Sequence, residues 1–191
     1  MHKCLESKKE GEEGKESDRE EEDLDDEFGF LKGNSSHQTY KITLEQMKEL
    51  IFTHSSDFVS MDPLQTVKLC DQWFNSDYSK VARALKDTKE LCYSFATTVL
   101  EQKEQEIIYE CEHSDAVTGY RPSKKYVDLI LIFVETLCHK RYRSKIVEYV
   151  SRQYFPIEES LKICEAKGAL EASAILYKRN SDYFKAIDLY T

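Results

Sequence analysis

The chain has 191 residues, 40% of them hydrophobic, and a formal net charge of −9. That is enough for one or two domains, and the acidic balance argues against binding nucleic acid by neutralising phosphates. No apolar run reaches 18 residues and no secretory signal is recognisable, so the sequence predicts neither a membrane-spanning helix nor export.

The charge is unevenly spread. Residues 1–30 carry thirteen Asp or Glu and five Lys or Arg, a net of −8, which leaves −1 for the other 161 residues. A stretch such as ESKKEGEEGKESDREEEDLDDE has too little apolar surface to offset the entropy of ordering it. Residues 1–40 are therefore expected to be a disordered acidic segment or linker, and residues 41–191 the folded part. Ser7 and Ser17 each stand three residues before a Glu, in the pattern of acidophilic kinase sites.

Thr43-Leu-Glu-Gln46 opens the folded part as a capping box. The helix after it, to about His54, should bury Leu44, Met47, Leu50 and Ile51. Asp62-Pro63 is a second start, with Asp as cap and Pro in the first turn. Its helix carries Leu64, Val67, Cys70, Trp73 and Phe74 near one face. Asn75 to Asp77 make a turn, and Tyr78 to Leu85 a short helix. A long pattern runs from about Thr88 to Glu112 through Leu91, Phe95, Val99, Ile107 and Ile108. Its middle, Gln102 to Glu106, is wholly polar, which predicts a break or a projection there. Gly119 and Pro122 mark a loop over residues 115–122.

Ser123 should cap a helix from Lys124 to about His139, buried through Tyr126, Leu129, Ile130, Phe133, Val134 and Leu137. The basic run His139-Lys-Arg-Tyr-Arg-Ser-Lys145 reads as a solvated turn, with a phospholipid or partner contact as the sharper alternative. Ile146 to Val150 form a short helix. Pro156 then suits a first helical turn, followed by Glu158 and Glu159 at the positive end of the dipole. Ile157, Leu161 and Cys164 share one face, and Gly168 provides a left-handed stop. The next helix runs from Ala169, near its exposed start, to about Tyr177. Ala172 is small enough there for a close helix crossing. Asp182 caps a third helix with Phe184, Ala186, Ile187 and Tyr190 facing inward.

Short helices joined by tight turns cannot bury their apolar faces alone. The expected fold is all-α, an α-solenoid of stacked helical hairpins preceded by the disordered acidic segment. An internal echo supports repetition. Residues 75–80 read NSDYSK and residues 180–185 read NSDYFK, 105 positions apart, a spacing that holds roughly three repeats of 35 residues.

Chemistry-bearing motifs are missing. There is no G-x-x-x-x-G-K, G-x-S-x-G or H-E-x-x-H. After residue 33 the only glycines are Gly119 and Gly168, too few for a nucleotide-binding α/β domain. Cys111-x-His113 and Cys138-His139 do not match a structural zinc spacing. Glu158 and Glu159, being adjacent, point about 100° apart on a helix and do not form a carboxylate pair. The six cysteines, at 4, 70, 92, 111, 138 and 164, read as reduced, mostly buried thiols without disulfides. Trp73 and the tyrosines read as helix-seam bulk. No catalytic residue, cofactor or metal ligand is assigned.

The runs YVDLILIFVETL (126–137) and YRSKIVEYVSRQYFPIEESLKICEAKGALEASAILYKRNSDYFKAIDLY (142–190) carry a resemblance. The short helix at Ile146 to Val150, the Leu161 to Cys164 helix, the Ala172-Ser-Ala-Ile-Leu176 helix and the Ser181-Asp-Tyr-Phe-Lys-Ala186 start follow in order. Together they resemble the clathrin heavy-chain repeat used in vacuolar-protein-sorting subunits of endosomal and lysosomal tethering complexes. The likeness covers about a third of the chain well and residues 62–112 loosely. Ser181 stands where that family usually has Gly, so Asn180 is expected to supply the left-handed residue.

The resemblance implies a non-catalytic scaffold segment of a vesicle-tethering or coat complex, a fragment of a longer repeat array. Its partners would be other subunits of that complex, with small GTPases reached through parts outside these residues. Its place would be cytoplasmic, peripheral on endosomal or vacuolar membranes. The alternative is another helical-repeat adaptor, tetratricopeptide-type or from intraflagellar transport. The charge split has its own consequence: deleting residues 1–33 should leave the melting temperature of the remainder within about 1–2 °C, and a larger fall in a thermal melt would show that the acidic segment packs on the helices.

Overall fold

A computed structural model describes residues 43–114 and 120–189. The expectations for the acidic segment, Gly119 and Tyr190 lie outside the described residues. Among the described residues ten helices run in order: α1 (Leu44–Thr53), α2 (Ser55–Met61), α3 (Pro63–Trp73), α4 (Tyr78–Ala84), α5 (Lys89–Glu112), α6 (Lys124–Leu137), α7 (Arg143–Val150), α8 (Ile157–Ala166), α9 (Leu170–Arg179) and α10 (Tyr183–Asp188). The described residues contain no strand, and the fold is all-α.

The helix starts follow local chemistry. The Gln46 amide donates to the Thr43 hydroxyl at 3.3 Å, and the Gln46 side chain accepts from the Thr43 amide at 2.9 Å, a complete capping box. Asp62 accepts from the amides of Leu64 and Gln65, with Pro63 at the first position, where its missing N–H costs nothing. Asp182 accepts from the Lys185 amide. Ser123 occupies the cap position of α6, but its side chain makes no capping bond. Pro156 stands at the cap of α8 rather than in its first turn. Helix α2 has no counterpart in the sequence expectations, because Phe58, Val59 and Met61 are too few to set a period.

The stops are also local. Gly168 has φ +64°. Its amide donates to the Glu165 carbonyl and the Ala169 amide to the Cys164 carbonyl, the two bonds of a Schellman turn. The same two bonds close α9, from Ser181 to Lys178 and from Asp182 to Tyr177. There the left-handed residue is Ser181, at φ +61°, while Asn180 has φ −82°. The expectation of Asn180 is thus corrected. The 6→1 geometry requires a left-handed residue immediately after the C-cap, and Asn180 is itself the C-cap.

Helix packing alternates. α4 lies on α6 and α6 on α8, while α3 lies on α5 and α7 on α9. Consecutive helices close the joints, α5 against α6, α8 against α9 and α9 against α10. One continuous apolar cluster runs through them, from Ile51 in α1 to Leu176 in α9. α6 is at its centre, with Tyr126, Leu129, Ile130, Phe133, Val134 and Leu137 all buried as expected.

Several side chains expected inside are outside. Leu44 and Leu50 are exposed, because α1 is covered mainly by α2 and α4, and Leu64 in the first turn of α3 is exposed as well. In α10 only Ala186 is buried; Phe184 is 86% and Ile187 60% exposed, since α9 is its main neighbour. Ala169, expected at an exposed start, is 2% exposed. The Schellman turn folds it back over α8, where it is part of the apolar cluster. α5 does not break at Gln102 to Glu106 but continues as one helix of 24 residues.

Ala172 is fully buried, on the helix that packs against both α7 and α8. Ala172→Leu should overpack that crossing and cost about 1–3 kcal/mol. Ala166→Leu, at an exposed position of α8, is the control and should be near neutral. Urea unfolding of both variants checks this; equal stabilities would contradict a close crossing at Ala172.

Candidate functional site

The polar stretch that the sequence marks as a break in α5 is where that helix is tied to its neighbours. Lys103 reaches Asp71 of α3 at 2.9 Å. Glu106 and Glu110 share Lys125 of α6 at 2.8 and 3.3 Å. Glu104 accepts from Arg152 at 3.1 Å, and Arg152 also donates to the Tyr154 hydroxyl. A run of polar side chains on one helix therefore meets polar partners from three segments. Three further pairs tie α6 to α4, to the residues just after α4 and to the end of α8. Arg83 of α4 meets Asp128 of α6 at 3.0 Å, and Glu135 of α6 takes Lys86 and Lys167 at 3.1 and 3.4 Å.

Asp71 is the most densely bonded carboxylate of the set. It accepts from the Tyr78 hydroxyl at 2.5 Å and from Ser76 at 2.9 Å, besides pairing with Lys103. Burial by itself would raise its pKa, but the bonds from Tyr78, Lys103 and Ser76 outweigh that and hold it below the usual carboxylate value. Burial, followed by the bond to Asp71, pushes the Tyr78 phenol up. Tyr78 in turn stacks on Tyr126 with ring centroids 5.8 Å apart.

The basic run is a solvated turn, as expected, with His139, Lys140, Arg141, Arg143 and Lys145 all exposed, and three of its cations also reach the fold. Arg141 pairs with Glu90, Lys145 lies over the Tyr93 ring, and Arg143 donates to the Gly168 carbonyl. Arg179 does a similar service further on. Its guanidinium donates to the carbonyls of Val150, Gln153 and Phe155 at 2.6, 2.7 and 3.2 Å. Those oxygens lie at and just beyond the end of α7, where carbonyls lack helical partners and a cation is favoured. Sequence reasoning passed over Arg179; its one signal was a cation in a last helical turn before an NSDY turn.

The grooves are open and shallow in chemistry. One of about 930 Å³ runs between the end of α5 and the start of α6, bordered by Tyr109, His113, Lys124, Val127 and Leu131. Arg121 and Glu159 pair across its edge, and Tyr109 stacks on His113 at 4.0 Å. Another, of about 580 Å³, is bordered by Arg143, Ile146, Leu170 and Leu189. Among the described residues no group of three His, Cys, Asp or Glu converges as metal ligands. Burial pushes Cys111 up to about 11, so its thiol stays protonated at neutral pH, while His113 turns its Nδ1 to the Tyr109 carbonyl. Glu159 is bound to Arg121 and Glu158 is exposed. The five described cysteines are free and buried. The arrangement can hold helices together and offer side surfaces.

Comparisons with protein-family models, with curated proteins and with solved structures find no match.

The Asp71 cluster sets a pH dependence. The folded-state pKa is below the unfolded one, so the ionised form is favoured by folding. Its contribution is complete above about pH 4 and is lost as pH falls through the folded value. Asp71→Asn should therefore cost roughly 1 kcal/mol at pH 7, and the gap to wild type should shrink below about pH 3. Urea unfolding at both pH values tests this; a gap independent of pH would remove Asp71 from the acid limb.

Proposed function

We propose that the chain is a non-catalytic scaffold segment of a vesicle-tethering or coat complex in endosomal or vacuolar protein transport. Its helices form an α-solenoid of stacked hairpins that follows a disordered acidic segment. The observation that carries the reading is the alternating packing, α4 on α6 on α8 and α7 on α9, in which each helix from α2 to α9 finds a neighbour two places along the chain. That is the arrangement a helical-repeat array requires. The resemblance of residues 126–190 to the clathrin heavy-chain repeat gives the cellular assignment, with the eighth or forty-first vacuolar-protein-sorting subunit as the nearest likeness.

The mechanism is mechanical. A stack of short helices bound by apolar seams and interhelical ion pairs sets the distance between whatever lies at its two ends. Its grooves and the exposed Leu170, Tyr183, Phe184 and Ile187 offer surface to other subunits. On this reading attachment to the endosomal membrane is peripheral, and no helix among the described residues is long and apolar enough to cross a bilayer.

The test is co-purification from cells of the tagged full chain, with the partners identified by mass spectrometry. Stoichiometric recovery of vacuolar-protein-sorting tethering subunits is expected. Ala172→Leu, which alters the α7–α9 crossing, should reduce that recovery by more than it reduces helix content. Recovery of intraflagellar transport subunits instead would move the chain to the other helical-repeat class, and undiminished recovery with Ala172→Leu would separate assembly from the curvature of the stack.

A further inference from the structure

Three turns meet along one edge of the stack: the turn between α4 and α5, the one between α6 and α7, and the one between α8 and α9. Contacts join all three. Arg141 of the second turn pairs with Glu90 at the start of α5, and Lys145 lies over the Tyr93 ring at 5.9 Å from its centre. Arg143 donates to the Gly168 carbonyl in the third turn. Glu135, near the end of α6, holds Lys86 from the first turn and Lys167 from the third at 3.1 and 3.4 Å.

This edge is basic, although residues 31–191 together are close to neutral. Glu90 and Glu135 are already taken by Arg141, Lys86 and Lys167. Lys89 turns to the Lys86 carbonyl, Lys145 to a ring and Arg143 to a carbonyl, and Lys140 stands exposed. These four cations have no carboxylate partner among the described residues, while Asp87 and Glu171 stand outside the pairs. Cations therefore exceed anions on the edge, and they come from turns far apart in sequence that only the fold brings together.

The chemistry of the surplus points to one kind of partner. An acidic peptide is best met by converging arginine forks, which bind carboxylates two bonds at a time. Here both arginines are engaged elsewhere, and three of the four remaining cations are lysines, separate point charges on long stems. A row of point charges suits a surface of diffuse negative charge. Beside Arg143 the groove is aliphatic, bordered by Ile146, Leu170 and Leu189, with Leu170 half exposed. Aliphatic side chains flanked by lysines are what the boundary between headgroups and acyl chains accommodates.

We infer that this edge docks on a bilayer surface that carries anionic lipid headgroups. Each lysine close to such a surface strengthens binding by about 5-fold. The docking deepens the reading of peripheral attachment given above, but it stands on the charge of the edge. Its test needs only protein and lipid, so its failure leaves the scaffold reading to be decided by co-purification.

The test is co-sedimentation of the full chain with vesicles of phosphatidylcholine alone, or of phosphatidylcholine and phosphatidylserine at about 7:3. Binding is expected to the mixed vesicles only, and it should fall steeply between about 0.1 and 0.5 M salt. Lys140→Ser with Lys145→Ser should weaken it by roughly 30-fold. Both positions are exposed, so circular dichroism and the melting temperature should not change. Lys68→Ser with Lys124→Ser removes the same charge from α3 and from the opposite end of α6 and should leave binding within about twofold of wild type. The inference is overturned if the mixed vesicles are not bound, or if the two double variants weaken binding equally. It is also overturned if polyglutamate binds through Lys140 and Lys145 while vesicles do not, which would give the edge to an acidic protein partner.

Discussion

Burial of α6 on several sides is the constraint on which the other helices depend. Eight of its fourteen residues are buried, too many for one partner helix to cover. Each large aliphatic or aromatic side chain among them gains about 1.5–3 kcal/mol by leaving water. The helix therefore specifies a ring of neighbours, and α4, α5, α7 and α8 supply it. Phe133 shows how the faces meet. It lies against Tyr93 of α5 at 5.7 Å and edge-on to Tyr149 of α7 at 4.8 Å, and Tyr149 continues to Phe155 and Tyr154. Edge-on and tilted contacts of this kind are favourable beyond area alone. The aromatic seam passes from α5 through α6 and α7 to the entry of α8 without interruption.

Ion pairs and arginine–carbonyl bonds then decide the angles at which those neighbours sit. Isolated surface pairs add little to stability. Here the pairs are interhelical and concentrated where the apolar seam ends: Lys103 with Asp71, Lys125 with Glu106, and Arg152 with Glu104. Arg143 and Arg179 act where helices stop, by filling carbonyls that have no helical partner. Removing a carbonyl acceptor's partner where it is part-buried costs more than losing an exposed pair, so Arg179, bonded to the part-buried carbonyls of Val150 and Phe155, constrains geometry more than the surface pairs and the exposed Arg143 bond do.

What was legible in the sequence was what neighbouring residues decide among themselves. The caps at Thr43, Asp62 and Asp182, the stop at Gly168 and the stripe of α6 depend on spacings of two to four residues, and each is found where expected. What was not legible depends on residues far along the chain. The polar run Gln102 to Glu106 resembles a break until Asp71, Lys125 and Arg152 are brought to it. Ala169 resembles an exposed helix start until the turn folds it over α8. Leu44, Leu50, Phe184 and Ile187 have the pattern of core residues, but a periodic stripe states only which face is apolar and not whether anything covers it.

The two NSDY phrases separate these levels within one chain. Asp77 and Asp182 have nearly the same backbone, φ −82° and ψ 72° against φ −92° and ψ 71°. Each follows a left-handed Ser, and each pairs with a Lys three residues on. The following tyrosines nevertheless have opposite fates. Tyr78 is fully buried and Tyr183 is 58% exposed. The difference lies in what packs two helices later. Tyr78 on α4 is covered by Tyr126 of α6, whereas among the described residues α10 has α9 as its main neighbour. The local phrase thus fixes where a helix begins and in which direction it leaves the turn. Whether its first aromatic becomes core or surface is set by the next layer, so an identical sequence signal carries different energetic weight at each point of the stack.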